Sequence, residues 1–157
     1  LLLQALLAYL PTRYERKHIM PILTVLLSTT PDTGVSAKVA ATLSRLTAEI
    51  LHKDPGLTSI AISHVDPAHW FVGGPSLTAQ GKTSFFLDIR ITDETNTANE
   101  KARYIDAVFK EIGALLGELH HESYVHVHDV RAAAYGFGGL TQQQRAVTAR
   151  LQNPVAA

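Results

Sequence analysis

Residues 83–130, TSFFLDIRITDETNTANEKARYIDAVFKEIGALLGELHHESYVHVHDV, read as strand, helix and strand in succession. TSFFLDIRI is a strand by its run of aromatic and branched residues. Thr97-Ala98-Asn99-Glu100 is a capping box, in which hydroxyl and carboxylate satisfy two free amides of a helix's first turn. The helix it opens runs to about Leu119, with Ile105, Phe109, Ile112, Leu116 and Leu119 as its apolar stripe. SYVHVHDV (123–130) is the second strand of the unit.

The same order occurs upstream. PILTVLLS (21–28) is a short buried strand, followed by turn chemistry at Pro31, Asp32 and Gly34. A helix over about 36–52 carries Val39, Leu43, Leu46 and Ile50 on one face, and Asp54-Pro55-Gly56 stops it. LTSIAISHV (57–65) is the next strand. A crossover helix between two strands of one sheet implies parallel pairing and a right-handed connection. The expected fold is therefore α/β (α+β): tandem βαβ units at 21–66 and 82–131 forming a four-stranded sheet with both helices on one face, in a single domain over 21–150. Such a layer leaves its second face, with its apolar residues, uncovered, and oligomerisation would cover it. Residues 67–81 link the units. Gly136-Phe137-Gly138-Gly139 is a tight turn with Phe137 at a subunit contact, a short polar helix follows, and the chain frays over 151–157.

Composition narrows the function classes. Lysine plus arginine and aspartate plus glutamate are 14 each, so charge gives no reason to expect nucleic acid or an anionic membrane as partner. There is no cysteine, which fits a reducing, cytoplasmic setting. The apolar segment LLLQALLAYL (1–10) is too short to span a bilayer. Basic residues follow it rather than precede it, which suits an amphipathic arm or a translated upstream segment better than a secretory signal. Met20 is the single methionine and Pro21 follows it. Either Met20 is the natural initiator or residues 1–20 are a native extension.

Met-Pro opening an apolar strand, the Gly-Gly turn of DPAHWFVGG (66–74) and YVHVHDVRAAAYGF (124–137), in this order across two βαβ units, resemble the tautomerase superfamily, the 4-oxalocrotonate tautomerase and macrophage migration inhibitory factor-like enzymes. The resemblance covers 21 to about 140. It implies a homotrimer with active sites where subunits meet, a catalytic N-terminal proline, no cofactor, and a small 2-oxo or enol acid as substrate.

The residues support that chemistry on their own terms. A free proline nitrogen is a secondary amine; free α-amino groups titrate near ~7.7–8.0, and an apolar pocket lowers that value. Ile22, Leu23, Trp70 and Phe71 are candidates for that pocket. Enolate and carboxylate oxygens need cations or donors. Lys53 closes the first helix, where it serves substrate or simply the helix dipole. By the resemblance, arginines on or just after the third strand bind carboxylate, which singles out Arg90; its alternative is a pair with Asp88, two residues away on the same face. Arg131 is a further carboxylate clamp or a surface residue. Tyr124 and His126 share a strand face, with His126 a donor or an interface residue. The His126-x-His128 pair lacks an accompanying Glu-x-x-His or Cys set, so no metal is expected. Two further readings stay open: a decarboxylase or dehalogenase/hydratase of the same superfamily with a protonated Pro21, and a catalytically silent trimeric interaction protein if Pro21 is not N-terminal.

Overall fold

The computed structural model describes residues 20–152, so the expectations for residues 1–19 and 153–157 lie outside the described residues. Strand β1 (Ile22–Leu27) leads through a turn to helix α1 (Thr33–Leu51), then to β2 (Ser59–His64). After a short helix α2 (Leu77–Gln80) come β3 (Phe85–Thr92), helix α3 (Ala98–Leu116) and β4 (Tyr124–Val130). A hairpin of β5 (Gly136–Phe137) and β6 (Leu140–Thr141) precedes the last helix, α4 (Gln142–Gln152). No helix among the described residues is long and apolar enough to cross a membrane.

The sheet order is β2-β1-β3-β4. The pairs within each βαβ unit are parallel, and the units join through an antiparallel β1–β3 seam. Period-two alternation gives the sheet two unlike faces. Leu23, Val25 and Leu27 of β1 and Phe85, Leu87, Ile89 and Ile91 of β3 form the inner face and are buried. Val39, Leu43, Leu46 and Ile50 of α1 are buried in the same core, as their spacing predicts. The outer face carries Ile22, Thr24 and Leu26, then Phe86, Asp88 and Arg90, then Tyr124, His126 and His128. It is more polar than the sequence reading expects.

Helix α1 begins three residues earlier than its apolar spacing suggests. The Asp32 carboxylate accepts from the amides of Gly34 (2.7 Å) and Val35 (3.1 Å), which satisfies the first turn directly and holds that carboxyl below its usual range. In α3 the capping box is present in both directions, with Thr97 N donating to Glu100 (2.8 Å) and Glu100 N to Thr97 (3.2 Å). The stripe expected on α3 is corrected in its first half. Tyr104 and Val108 are buried and Ile105 is exposed, whereas Ile112 is buried and Leu116 and Leu119 pack against the core as expected. Over the first two turns the buried positions sit one residue earlier, about 100° around a helix. Tyr104 joins the core because its hydroxyl hydrogen-bonds Thr47 Oγ1 of α1 at 2.9 Å. Burial pushes that phenol well above its ordinary range.

The turn expected at 136–139 is the β5–β6 hairpin, whose two central residues, Gly138 and Gly139, have φ of 56° and 78°. Two consecutive positive φ values select glycine. Phe137 lies under the guanidinium of Arg145, 3.7 Å from its ring centroid.

Candidate active site

Most of the sequence-predicted residues gather at two opposite ends of the sheet, with His126 between them, level with Asp88 and Thr24. Because β1 and β2 are parallel, the loop leaving β2 emerges beside the end of β1, one strand length from Pro21. Trp70 and Phe71, expected to surround Pro21, instead line an open cleft of about 730 Å³ with Tyr124, Gln80, His120 and Glu122. Gln80 Nε2 donates to the carbonyls of Val72 (2.9 Å) and Pro75 (3.0 Å) and so pins the Gly73-Gly74 turn. Tyr124 donates to Glu122 at 2.5 Å, and the carboxylate raises the phenol above its usual range. Register places Tyr124 level with Phe86 and Leu26, five residues along the strand from Pro21, roughly 17 Å.

At the other end, Pro21 is buried immediately before β1, and its carbonyl accepts from Ser59 N at 3.2 Å. Tyr135, which the sequence reading passes over, donates to the carbonyl of Met20 at 2.6 Å and approaches that of Arg90 at 3.4 Å. Its one local signal is its aromatic ring, two residues before Phe137 in the segment 124–137. Burial raises the Tyr135 phenol above its ordinary range.

Lys53 lies at this end too, but inside it. It is 4% exposed, and its ammonium donates to Thr95 Oγ1 at 2.9 Å in the turn after β3. Desolvation lowers its pKa from 10.5 to about 8, against the opposing pull of Glu100 and Asp129. Arg131 is exposed just beyond β4, at the Pro21 end.

Arg90 projects from the outer face with its side chain 47% exposed. The pairing with Asp88 weighed from sequence exists only as a 3.9 Å approach. The closer partner of Asp88 is His128, whose Nε2 lies 2.6 Å from Oδ2. His126 is opposite Asp88 in the register and stacks on His128 with ring centroids 3.6 Å apart. The third residue that the His-x-His pair lacked in sequence is therefore Asp88, on the neighbouring strand.

No protein-family model and no curated protein matches the chain. Solved structures do. A fused 4-OT wild-type symmetric trimer superposes with a TM-score of 0.68 at 17% identity, over 79% of this chain and 98% of that one. The macrophage migration inhibitory factor-like protein of Entamoeba histolytica gives 0.64 at 15%, over 77% and 97%. Pt0534 inactivated by 2-oxo-3-pentynoate gives 0.67 at 13%, over 78% and 96%. The chain shares the fold of these structures. In its sheet, Pro21 immediately precedes β1, and the two tandem βαβ units account for residues 22–130.

Proposed function

We propose that the chain is an isomerase moving a proton between the keto and enol forms of a small 2-oxo acid, with the Pro21 nitrogen as base. The observation that carries this reading is a buried proline directly before β1, following Met20, with Arg90 and Arg131 at the same end of the sheet. An uncapped Pro21 nitrogen takes a proton from the carbon beside the carbonyl or from the enol hydroxyl, and returns it to the other atom. Arg90 and Arg131 bind the carboxylate, and the buried Lys53 cation favours the enolate charge through space. Trp70, Tyr124 and His126 belong to the far wall. In a homotrimer that wall comes from a second copy, which reconciles its distance from Pro21 within one chain. The trimers among the similar fused 4-OT structures support that assembly. The half-buried Ile22, Leu26 and Phe86 on the outer face give a neighbouring copy apolar surface to cover.

The chemistry requires cleavage between Met20 and Pro21. While that peptide bond stands, Pro21 nitrogen is an amide without a usable lone pair, and the Tyr135 bond to the Met20 carbonyl favours a second reading, a silent interaction protein. The experiment is expression from Met20, mass spectrometry to verify methionine loss, and ketonisation assays with phenylpyruvate and 2-hydroxymuconate. Pro21→Ala should lower the rate by about a hundredfold or more. Equal rates in the two proteins would remove the isomerase reading.

A further inference from the structure

We propose that Asp88, His126 and His128 form a binding site for a divalent first-row transition-metal ion on the outer face of the sheet. The site shares His126 with the far wall proposed above, but its geometry stands without Pro21 or the isomerase reading. The three residues each offer one ligand atom, and these atoms lie within 4.8 Å of one another. Strand geometry makes the set: His126 and His128 are two apart on β4 and face one way, and Asp88 stands beside them on β3.

The carboxylate is only half used. Asp88 is 15% exposed, its Oδ2 is engaged by His128, and its buried Oδ1 has no hydrogen-bond partner among the described residues. Arg90, at 3.9 Å, is beyond hydrogen-bond distance and exposed enough to turn away. Ligands held at about 2.0–2.2 Å from one ion sit roughly 3–3.5 Å apart. The 2.6 Å His128–Asp88 contact therefore needs only a small side-chain rotation to admit an ion in place of the shared proton. Two imidazoles and one carboxylate are a mixed nitrogen and oxygen donor set. That set suits zinc, cobalt or nickel better than calcium or magnesium, which take oxygen ligands. Three protein ligands leave a coordination position for water or an oxygen donor.

The test uses the full chain titrated with zinc chloride by calorimetry at neutral pH, with metal content measured after gel filtration. Cobalt(II) substitution, read by visible absorption, reports the coordination. The expected result is one zinc per chain, with binding weakened about tenfold or more by His126→Gln/His128→Gln and by Asp88→Asn. A control pair, His120→Gln/His121→Gln, removes two imidazoles from the loop before β4 and should bind like the parent. Circular dichroism of the metal-free variants checks that they fold. If Asp88→Asn does not fold, the exposed His126→Gln alone carries the comparison. Absence of stoichiometric zinc overturns the site, as does binding that survives His126→Gln/His128→Gln or that the loop pair diminishes equally.

Discussion

The two βαβ units share a frame and differ in what they place on its open side. Their inner faces are nearly interchangeable: Leu23, Val25 and Leu27 in the first, Phe85, Leu87, Ile89 and Ile91 in the second, all buried. Their outer faces are not. The first unit presents Ile22, Thr24, Leu26, Ser59, Ala61 and Ser63; the second presents Phe86, Asp88, Arg90, Tyr124, His126 and His128. Close packing constrains the inner face of both units in the same way, because a core tolerates little change in volume or polarity. The outer face carries no such constraint within one chain, so charged and aromatic residues accumulate there in only one unit.

The largest expected effect separates the residues that open the two inner strands. Pro21→Ala should reduce ketonisation about a hundredfold or more in the chain beginning at Pro21. Ser84, just before β3, is equally buried, but its hydroxyl bonds Ser123 (2.9 Å) and the carbonyl of Glu122 (3.2 Å). Ser84→Ala should therefore lower stability by about 1 kcal/mol, seen in a urea midpoint, and leave the rate within about twofold. Comparable rate losses in both would mean the two openings are not distinct in role.

If the inner faces are equivalent, Leu23→Ala and Leu87→Ala should each cost about 2–5 kcal/mol in denaturant unfolding, within about 1 kcal/mol of one another. A much cheaper first-unit variant would show that the second unit alone supplies the cooperative core. Lys53 comes next. Its pKa of about 8 in the folded state lies below the unfolded 10.5, so the folded chain holds fewer protons between those values. Stability should then rise as pH increases from about 8 to 10.5, by up to about 3 kcal/mol at ~1.4 kcal/mol per pH unit. Lys53→Met should raise the melting temperature near pH 7 and abolish the climb above pH 8, measured by thermal denaturation across that window. The smallest effect concerns the helix starts. Thr97→Ala removes half of the capping box and should cost about 1 kcal/mol, as should Asp32→Ala at the matching position of the first unit.

Most of the frame was legible. The capping box, the α1 stripe and the four strands follow from periodicity and turn chemistry that act within a few residues. The start of the α3 stripe departs from the apolar pattern because Tyr104 enters the core through a hydroxyl bond to Thr47, 57 residues away in sequence. Trp70 lies away from Pro21, since apolar content says what a residue prefers and not which end of a sheet its loop reaches. Sequence spacing offers Asp88 a partner two positions along, Arg90, whereas its 2.6 Å partner lies across the strand pair. Tyr135 gave no local sign that its hydroxyl would meet the carbonyl of Met20, 115 positions earlier.

The sequence by itself determined two strand–helix–strand units and the residues that line their common core, because side-chain period and terminal capping are set by neighbours a few positions apart. Only the tertiary structure decided which chemical groups meet. The antiparallel β1–β3 seam and the parallel β3–β4 pairing set the register that brings Asp88 to His126 and His128 and sends Pro21 and Tyr124 to opposite ends. Register belongs to pairs of strands rather than to either strand alone, and a shift of one residue would turn every one of these side chains to the other face.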